Sequence, residues 1–401
     1  MLRRIFKAFH YRDFRVMWFG ACTSSIGTWM QNVAQAWLVF EISKSPFLLG
    51  LDAFLGNIPV FLFSLLGGVI ADRMDRRHLL LGSQFVQMGS AFLLTFLIAI
   101  GWVRVWHILA LSFVTGFAQS FGGPAYQALV PMLVDREDLP NAIALNSIQF
   151  NLARVIGPVL GGLALAHLGA AWCFGLNGLS FVAVIISLFS LRVRFKPDAS
   201  RESILASMKQ GFFFIRKQGA MESLIVLAFL MTALGIPMIT FLPVFAKEIF
   251  HGGPSIFTMF LTSSGAGSVV GALLVAGLGN MRNKGRIALT MLMCLGATIS
   301  GFALSPSLFL SCLLLFLSGA ALMWVFAMIS SLVQLIVSDE MRGRVMSVYN
   351  VAFRGGMPMG NLVTGWLVPL FTAPRVLAVN GLLLVMLGAY FLLVQRRVAA
   401  L

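Results

Sequence analysis

Apolar runs long enough to cross a lipid bilayer recur, with short breaks, along this entire 401-residue sequence. A bilayer core about 30 Å thick requires about 20 consecutive apolar residues in a helix. Hydrophobic residues make up 59% of the chain and charged residues 11%, whereas soluble domains average about 45–50% and about 25%. The runs lack the alternation of a membrane β-strand, so the sequence predicts an all-α membrane protein with twelve transmembrane helices. The predicted spans cover about residues 14–40, 47–71, 79–100, 103–134, 141–168, 170–191, 221–246, 254–279, 286–304, 306–337, 343–370 and 373–394.

The basic residues are distributed unevenly between alternate loops. If the N-terminus is cytoplasmic, 23 of the 29 Lys and Arg residues fall in cytoplasmic segments, four fall on the outer side, and Arg154 and Arg354 lie within spans. This distribution follows the positive-inside rule. We therefore expect a multi-pass protein of the plasma or inner membrane with both termini in the cytoplasm. The net charge of +15 then reflects topology, and we expect no binding to nucleic acid.

The twelve predicted spans divide into two halves. The longest polar connection, residues 192–220, separates six spans from six and predicts an N-terminal six-helix bundle over residues 1–191 and a C-terminal one over residues 221–401. We assign the connection itself to a cytoplasmic linker.

Short matches relate the two halves at an offset of 200 to 208 residues. Within this register Arg154 aligns with Arg354, and Pro158 aligns with Pro358. A six-helix unit repeated in the same membrane orientation is typical of one large secondary-transporter fold, in which the substrate binds between the halves near the membrane midplane. The sequence therefore favours a pseudo-symmetric transporter.

The loop between the second and third predicted spans reads GGVIADRMDRR from Gly67 to Arg77. It resembles the signature of the major facilitator superfamily, which has a glycine, then an acidic and a basic residue, then a basic pair. The resemblance implies a conformational switch in which these charges close and release the inner side of the transporter. Asp75 replaces a family glycine, which changes the expected geometry of the turn. The residues assigned by this resemblance are Gly68, Asp72, Arg73, Asp75, Arg76 and Arg77.

The fifth predicted span contains a second pattern of the same superfamily, NLARVIGPVLGG. It resembles the antiporter signature, with Ala153 at the first glycine position and matches at Gly157, Pro158, Gly161 and Gly162. Proline removes one helix hydrogen bond and bends the helix, and glycines four residues apart let a second helix approach closely. The residues alone predict a bent helix with a small-residue packing face, and the resemblance adds that the protein is an exporter.

The resemblance extends over nearly the whole chain. The opening RDFRVMWFGACTSS and the segments DREDLPNAIALNS and RGRVMSVYN are similar to the drug:proton antiporter subgroup, which includes macrolide efflux proteins and the enterobactin exporter. It implies a monomeric secondary active transporter that exports lipophilic or siderophore-like small molecules by alternating access, coupled to protons. A family arginine expected near Gly116 is missing, so proton coupling at that position is unsupported.

Coupling to protons requires an ionisable group inside the membrane. Asp52, about five residues inside the second span, is the first candidate, and Glu41, at the end of the first span, is the second. Arg154 and Arg354 are further candidates, because each could line the cavity, snorkel toward the cytoplasm or bind carbonyl groups freed by a bend. A structural role shared by both halves and a role in binding cargo are both open.

In the superfamily, the first, fourth, seventh and tenth helices line the cavity. Amide, aromatic and methionine side chains on these helices suit a large, partly apolar and variable ligand, although such side chains also serve as packing. The candidates are Gln31, Gln35, Gln119, Tyr126, Met231, Met238, Trp324 and Met328.

Other functions compete with export. A transporter of another cargo or direction, for example of a lipid or a metabolite, would carry the same motifs, and a non-transporting membrane sensor could use the same fold. The four cysteines lie singly in predicted spans without the spacing of a zinc site, and no GxxxxGK[ST] loop for nucleotides occurs. The five histidines lie near span ends. We therefore expect no metal, no cofactor and no enzymatic activity.

Overall fold

The computed structural model describes residues 6–192, 212–216, 218–277, 283–338 and 341–401, without the side chains at positions 65, 72, 342 and 343. Residues 193–211 of the predicted linker lie outside this description. Within the described residues the chain forms twelve long helices and no strand, which confirms the predicted all-α membrane fold. The helices are α1 Arg12–Ser43, α2 Pro46–Arg73, α3 Arg76–Ala99, α4 Val105–Leu129, α5 Leu139–His167, α6 Ala170–Phe189, α7 Gly219–Ile249, α8 Pro254–Gly277, α9 Lys284–Leu304, α10 Leu308–Ile336, α11 Arg342–Phe371 and α12 Ala373–Ala389.

In the described part of the chain, ten helices are long and apolar enough to cross a membrane. The two helices below that threshold are α1 and α11, which carry polar residues in their central turns. Gln31 and Gln35 lie on α1, and Arg354 and Asn361 lie on α11. These two helices are therefore more polar than a span that is surrounded by lipid.

The break between α9 and α10 is short. α9 ends at Leu304 and α10 begins at Leu308, with Pro306 between them. Proline cannot continue a helical hydrogen-bond ladder, and Ser307 starts the next helix because its hydroxyl accepts a hydrogen bond from the backbone N–H of Leu310 at 3.5 Å. A proline and one capping serine thus separate two spans.

The helices form two compact units that share part of their internal packing. Unit 1 comprises Met1–Ser43 and Leu55–Arg201, and unit 2 comprises Lys44–Phe54 and Glu202–Leu401. In unit 1, α1 packs against α5 and α6, and α3 packs against α4 and α6. In unit 2, α7 packs against α11, α9 packs against α10 and α12, and α8 packs against α10. Three of these pairs have equivalents in both units: α1·α5 with α7·α11, α3·α4 with α9·α10, and α3·α6 with α9·α12. For these pairs the internal repeat of the sequence is also a repeat of packing.

The segment Lys44–Phe54, which includes the first part of α2, is grouped with unit 2, although the sequence boundary placed it in the N-terminal bundle. The contact is made through glycine. A Cβ added to Gly50 would lie 3.0 Å from the Cα of Gly365 on α11 and would meet the carbonyl oxygen of Asn361. Such a close backbone approach requires that no side chain separates the helices.

α7 is interrupted, whereas its counterpart α1 is continuous over 32 residues. α7 breaks at Pro237 and Pro243 and ends in a π-helical turn, Phe245–Ile249. Each proline lacks the N–H that would continue the helix. The carbonyl of Ala233, which loses its helical partner at Pro237, lies against the Cα of Gly360 on α11.

Candidate functional site

The glycines of the helix-5 motif hold α5 directly against α1. A Cβ added to Gly157 would lie 2.9 Å from the carbonyl oxygen of Ile26 and would collide with Trp29. A Cβ added to Gly161 would lie 2.8 Å from the carbonyl oxygen of Met30. The two backbones therefore touch, and a larger residue at either glycine would force the helices apart.

Arg154 lies one turn before Gly157 on α5. Its guanidinium carbon is 5.9 Å from the centroid of the Trp29 ring on α1, and that ring meets the Phe150 ring edge-on at 6.3 Å. Arg154 and Trp29 are half-buried, and Phe150 is 54% exposed. Placing an arginine at the centre of a membrane span costs about 2.5–3.5 kcal/mol on insertion scales. A cation–π contact returns about 0.5–2 kcal/mol, so the tryptophan offsets only part of that cost.

Unit 2 repeats the glycine contact between its own pair of helices. Gly356 and Gly360 of α11 meet the backbone of Phe229 and Ala233 on α7. The contact is again between backbones, because an added Cβ at Gly356 would lie 3.1 Å from the amide nitrogen of Ala233. α11 therefore packs on α7 as α5 packs on α1.

The arginines do not follow this repeat. The glycines of α5 and α11 are 199 residues apart in sequence, whereas Arg154 and Arg354 are 200 residues apart. One residue of offset rotates a side chain by about 100° around a helix. Arg154 accordingly stands on the side of α1, while Arg354 turns away from α7 and is exposed. The two arginines therefore align in the sequence repeat, but they lie on different faces of their helices relative to the contact glycines.

A polar cluster joins α1, α4 and α5 inside unit 1. The hydroxyl of Tyr126 donates a hydrogen bond to Asn146 Oδ1 at 3.0 Å. The Gln149 amide donates to Ser25 Oγ at 2.8 Å and to the carbonyl of Ala21 at 3.2 Å. Sequence reasoning singled out Tyr126 and missed its partners, although the three-residue spacing of Asn146 and Gln149 places both on one face of α5.

The three candidate glutamines each bind a different helix of unit 1. Gln31 is buried and accepts a hydrogen bond from Asn177 on α6 at 2.7 Å. Gln35 donates to Ser112 on α4 at 2.9 Å. Gln119 is exposed and accepts a bond from the Gln87 amide at 3.3 Å. Each glutamine thus forms a hydrogen bond to a side chain on another helix. In this conformation the buried amide of Gln31 joins α1 to α6.

The candidates in unit 2 are mostly core residues. Met231, Met238 and Met328 are buried, with Met238 at 0% exposure. The sulfur of Met238 accepts a hydrogen bond from Ser318 Oγ on α10 at 3.4 Å. Trp324 is half-buried. The methionines serve as internal packing in this conformation, because an unbranched thioether fills gaps between helices, and their role in lining a cavity stays a prediction.

Two arginines of the switch loop bind the C-terminal ends of helices in unit 1. Arg76 donates to the carbonyls of Ala71 on α2 and Ala128 on α4, at 3.2 and 3.0 Å. Arg77 donates to the carbonyl of Phe189 at the end of α6, at 2.9 Å. The last carbonyls of a helix lack intrahelical partners and carry the negative end of its dipole. These arginines therefore fasten three helices together at one end of the unit.

Asp75 explains why the turn of this loop needs no glycine. Its carboxylate accepts a hydrogen bond from the backbone N–H of Arg77 at 2.9 Å and so caps the start of α3. Among the remaining loop residues, Gly68 has open space around it and Arg73 is exposed. The side chain of Asp72 lies outside the described residues.

The two candidate coupling acids differ in burial. Asp52 is 6% exposed and lies in the part of α2 that belongs to unit 2. Glu41 is exposed at the end of α1. Both side chains have interactions within the protein.

A further cluster, absent from the sequence predictions, fastens the N-terminal segment to the start of α5. Lys7 Nζ lies 2.7 Å from Asp138 Oδ1, and the hydroxyl of Tyr11 donates to Asp135 at 2.9 Å and to Asp138 at 3.0 Å. The hydrogen bond to Lys7 lowers the pKa of Asp138. The bond to Asp135 and then burial raise the pKa of Tyr11 to about 12. We call Lys7, Tyr11, Asp135 and Asp138 the N-terminal clasp.

Twelve long helices in two units that repeat three helix pairs are the fold of a major facilitator transporter. A bacterial homologue of the human lysosomal transporter Spinster, solved in an inward-facing and unoccupied conformation, has a TM-score of 0.75 and 14% identity, over 96% of this chain and 97% of that chain. The nucleoside transporter NupG has a TM-score of 0.70 and 15% identity, over 95% and 98%. The chain itself belongs to the transmembrane secretion effector family, whose sequence profile it matches over residues 5–400.

Several relatives that match this chain over most of their length are named as transporters or efflux proteins. A staphyloferrin A transporter of Staphylococcus aureus is 24% identical over 93% of this chain and 94% of its own. Macrolide efflux protein A of Streptococcus pyogenes is 21% identical over 88% of both chains. An enterobactin exporter of Escherichia coli O1:K1 is 28% identical over 95% of this chain and 91% of its own. These matches confirm the resemblance to the efflux branch of the major facilitator superfamily.

Proposed function

We propose that this protein exports lipophilic or siderophore-like small molecules by alternating access, in exchange for protons. The observation that carries the proposal is the match, along almost the full length of both chains, to relatives named for macrolide efflux and enterobactin export. The fold has no need of a nucleotide or a metal to move cargo, because secondary transporters use an ion gradient. We further propose that both termini lie in the cytoplasm, because the basic residues concentrate in the predicted inner loops. We also propose that the protein is a monomer.

The packing of each unit supports this mechanism. Alternating access in parallel-repeat transporters is largely a rigid-body movement of one bundle against the other. Rigid bundles need close helix contacts, which the glycine pairs of α5 and α11 provide, and firmly held helix ends, which Arg76 and Arg77 provide in unit 1. α7 is broken at Pro237 and Pro243, and we propose that this segment bends within unit 2 during transport.

We propose that Asp52 is the group that couples transport to protons. A carboxylate buried in the membrane is unfavourable while charged, so a cycle that protonates and deprotonates it can be linked to movement of cargo. Asp52 is buried and Glu41 is exposed. Of the two acids, Asp52 is therefore the one whose charged form is disfavoured by burial, and we propose that it is the one that cycles.

Transport in proteoliposomes tests the proposal. The purified chain is reconstituted and supplied with a dye, a macrolide and a catecholate siderophore, with and without a pH gradient. We expect saturable transport of at least one cargo that accelerates with the gradient, loss of that acceleration in Asp52→Asn, and its retention in the control Glu41→Gln. Saturable flux that ignores the gradient would refute proton antiport, and the absence of any flux would favour a sensor.

A further inference from the structure

Arg154 lies far from both ends of its helix. In α5, Leu139–His167, it stands 15 residues after the first position and 13 before the last. At about 1.5 Å per residue these distances are about 22 and 20 Å, so the side chain cannot reach either end of the helix. Its charge therefore remains near the middle of the membrane, where arginines normally bind a counter-charge or line a path for cargo.

The guanidinium of Arg154 contacts an aromatic ring. Among the described residues no carboxylate forms an ion pair with Arg154 and no carbonyl accepts a hydrogen bond from it. The contact that the structure gives is the Trp29 ring, 5.9 Å away. A guanidinium presents five N–H donors in a planar fork, and a ring face engages its positive charge without accepting those donors in the plane of the fork.

The surface of α5 next to Arg154 is partly aromatic. Residues 146, 150 and 154 are spaced by four and form one stripe of α5. Phe150 contributes an exposed apolar ring beside Trp29, and the Tyr126–Asn146 hydrogen bond adds polar groups further along the stripe. We call Arg154, Trp29 and Phe150 the Arg154 cluster. It joins a fixed cation to two aromatic rings.

We propose that the Arg154 cluster binds an anionic group on the cargo. The cargo class is an amphipathic organic acid whose two carboxylate oxygens accept hydrogen bonds from the guanidinium while its apolar part packs on Trp29 and Phe150. Paired oxygens match the arginine fork in a bidentate arrangement that a lysine cannot reproduce. This inference rests on the proposed export function and narrows its substrate class.

Calorimetric titration of the full-length protein in detergent tests the inference with two matched ligands, 9-anthracenecarboxylate and its methyl ester. We expect saturable binding of the acid and at least about tenfold weaker binding of the ester, since a charge-assisted pair is lost. Arg154→Gln should lose the preference for the acid, and Arg154→Lys should retain part of it. The control Arg354→Gln should bind both ligands as the unmodified protein does.

Three results would overturn the inference. They are equal binding of acid and ester by the unmodified protein, an unchanged preference in Arg154→Gln, and equal loss in Arg354→Gln. If Arg154→Gln proves unfolded by thermal melting, the folded Arg154→Lys decides instead, and an unchanged acid affinity there excludes a bidentate contact. A protein that transports the macrolide yet ignores the acid overturns this inference alone. A protein that moves no cargo at all overturns the proposed function.

Discussion

The α1·α5 pair of unit 1 and the α7·α11 pair of unit 2 share a backbone contact at glycines. They differ in the continuity of the partner helix and in the position of the nearby arginine. Both pairs rest on two glycines four residues apart, which meet the backbone of the partner helix. α1 is continuous and α7 breaks twice at proline. The difference teaches that the internal repeat preserves packing, while side chains and helix breaks have diverged between the halves.

The arginines show this divergence most directly. A shift of one residue between the glycine register and the arginine register turns Arg354 by about 100° relative to Arg154. Of these two arginines, only Arg154 has an aromatic ring against its guanidinium within the described part of the chain. We infer that the two arginines are no longer interchangeable, and the following substitutions break or sharpen the comparison.

The largest effect is expected where the two pairs are alike. Gly161→Leu and Gly360→Leu both place a side chain against the backbone of the partner helix. Overpacking of this kind costs about 1–3 kcal/mol and sometimes more, and a backbone cannot move aside as a side chain can. Thermal unfolding in detergent should show a large loss for both variants. Gly82→Leu on α3, which has open space, is the control, and equal melting of all three would contradict the shared contact.

A smaller effect is expected at the end of unit 1. Arg77→Ala removes the donor to the carbonyl of Phe189, and we expect a loss of about 1 kcal/mol in the free energy of unfolding, because a charged donor at a partly exposed site is removed. Arg73→Ala, at an exposed position, should change it by less than about 0.5 kcal/mol. If both variants melt alike, the loop arginines are solvated charges and the fastening role fails.

The helix breaks should affect movement more than stability. Pro237→Ala restores an N–H that can donate to the carbonyl of Ala233 and so extends α7. We expect severalfold slower transport with little change in melting temperature, because a bending segment becomes stiffer. For comparison, Pro158→Ala on α5 of unit 1, where the helix continues through the proline, should slow transport less. A larger effect at Pro158 would assign the bending segment to α5 instead.

The smallest effect is expected at the N-terminal clasp. The pKa of Asp138 is lowered by Lys7, so its contribution to stability is complete above the unfolded value of 3.8 and is lost as the pH falls through the lower folded value. The pKa of Tyr11 is raised to about 12, so its contribution is complete below 10.0 and is lost as the pH rises toward 12. Asp138→Asn should melt slightly below the unmodified protein at pH 7, and the gap should close below pH 3.8. A gap that persists in acid would show that the ion pair is not its cause.

Much of the fold could be predicted from the sequence, because the membrane requires long apolar helices and these leave a plain pattern of residues. The twelve helices and the short break at Pro306 follow from that pattern. The packing partners of the helices do not follow from that pattern. A glycine indicates that another helix backbone can approach closely, but it does not indicate which helix that is. Gly157 and Gly161 predicted a contact, and only the structure assigns it to α1.

The side-chain sites were harder to predict for a physical reason. The apolar surroundings make every amide and methionine on a cavity-lining helix look available, yet Gln31 is bound to Asn177 and Met238 is packed in the core. The orientation of Arg354 depends on a one-residue shift that an alignment of letters conceals. Asp75 was read as a departure from the family turn, and its capping bond shows how another residue forms that turn.

The most direct test of the difference between the halves is transport of 9-anthracenecarboxylate in proteoliposomes under one imposed pH gradient. The unmodified protein, Arg154→Gln and Arg354→Gln are compared at equal amounts of folded, reconstituted protein. We predict that Arg154→Gln loses transport of the acid while Arg354→Gln retains most of it. Equal loss in both variants would contradict the account, because it would show that the two arginines still serve one symmetric purpose.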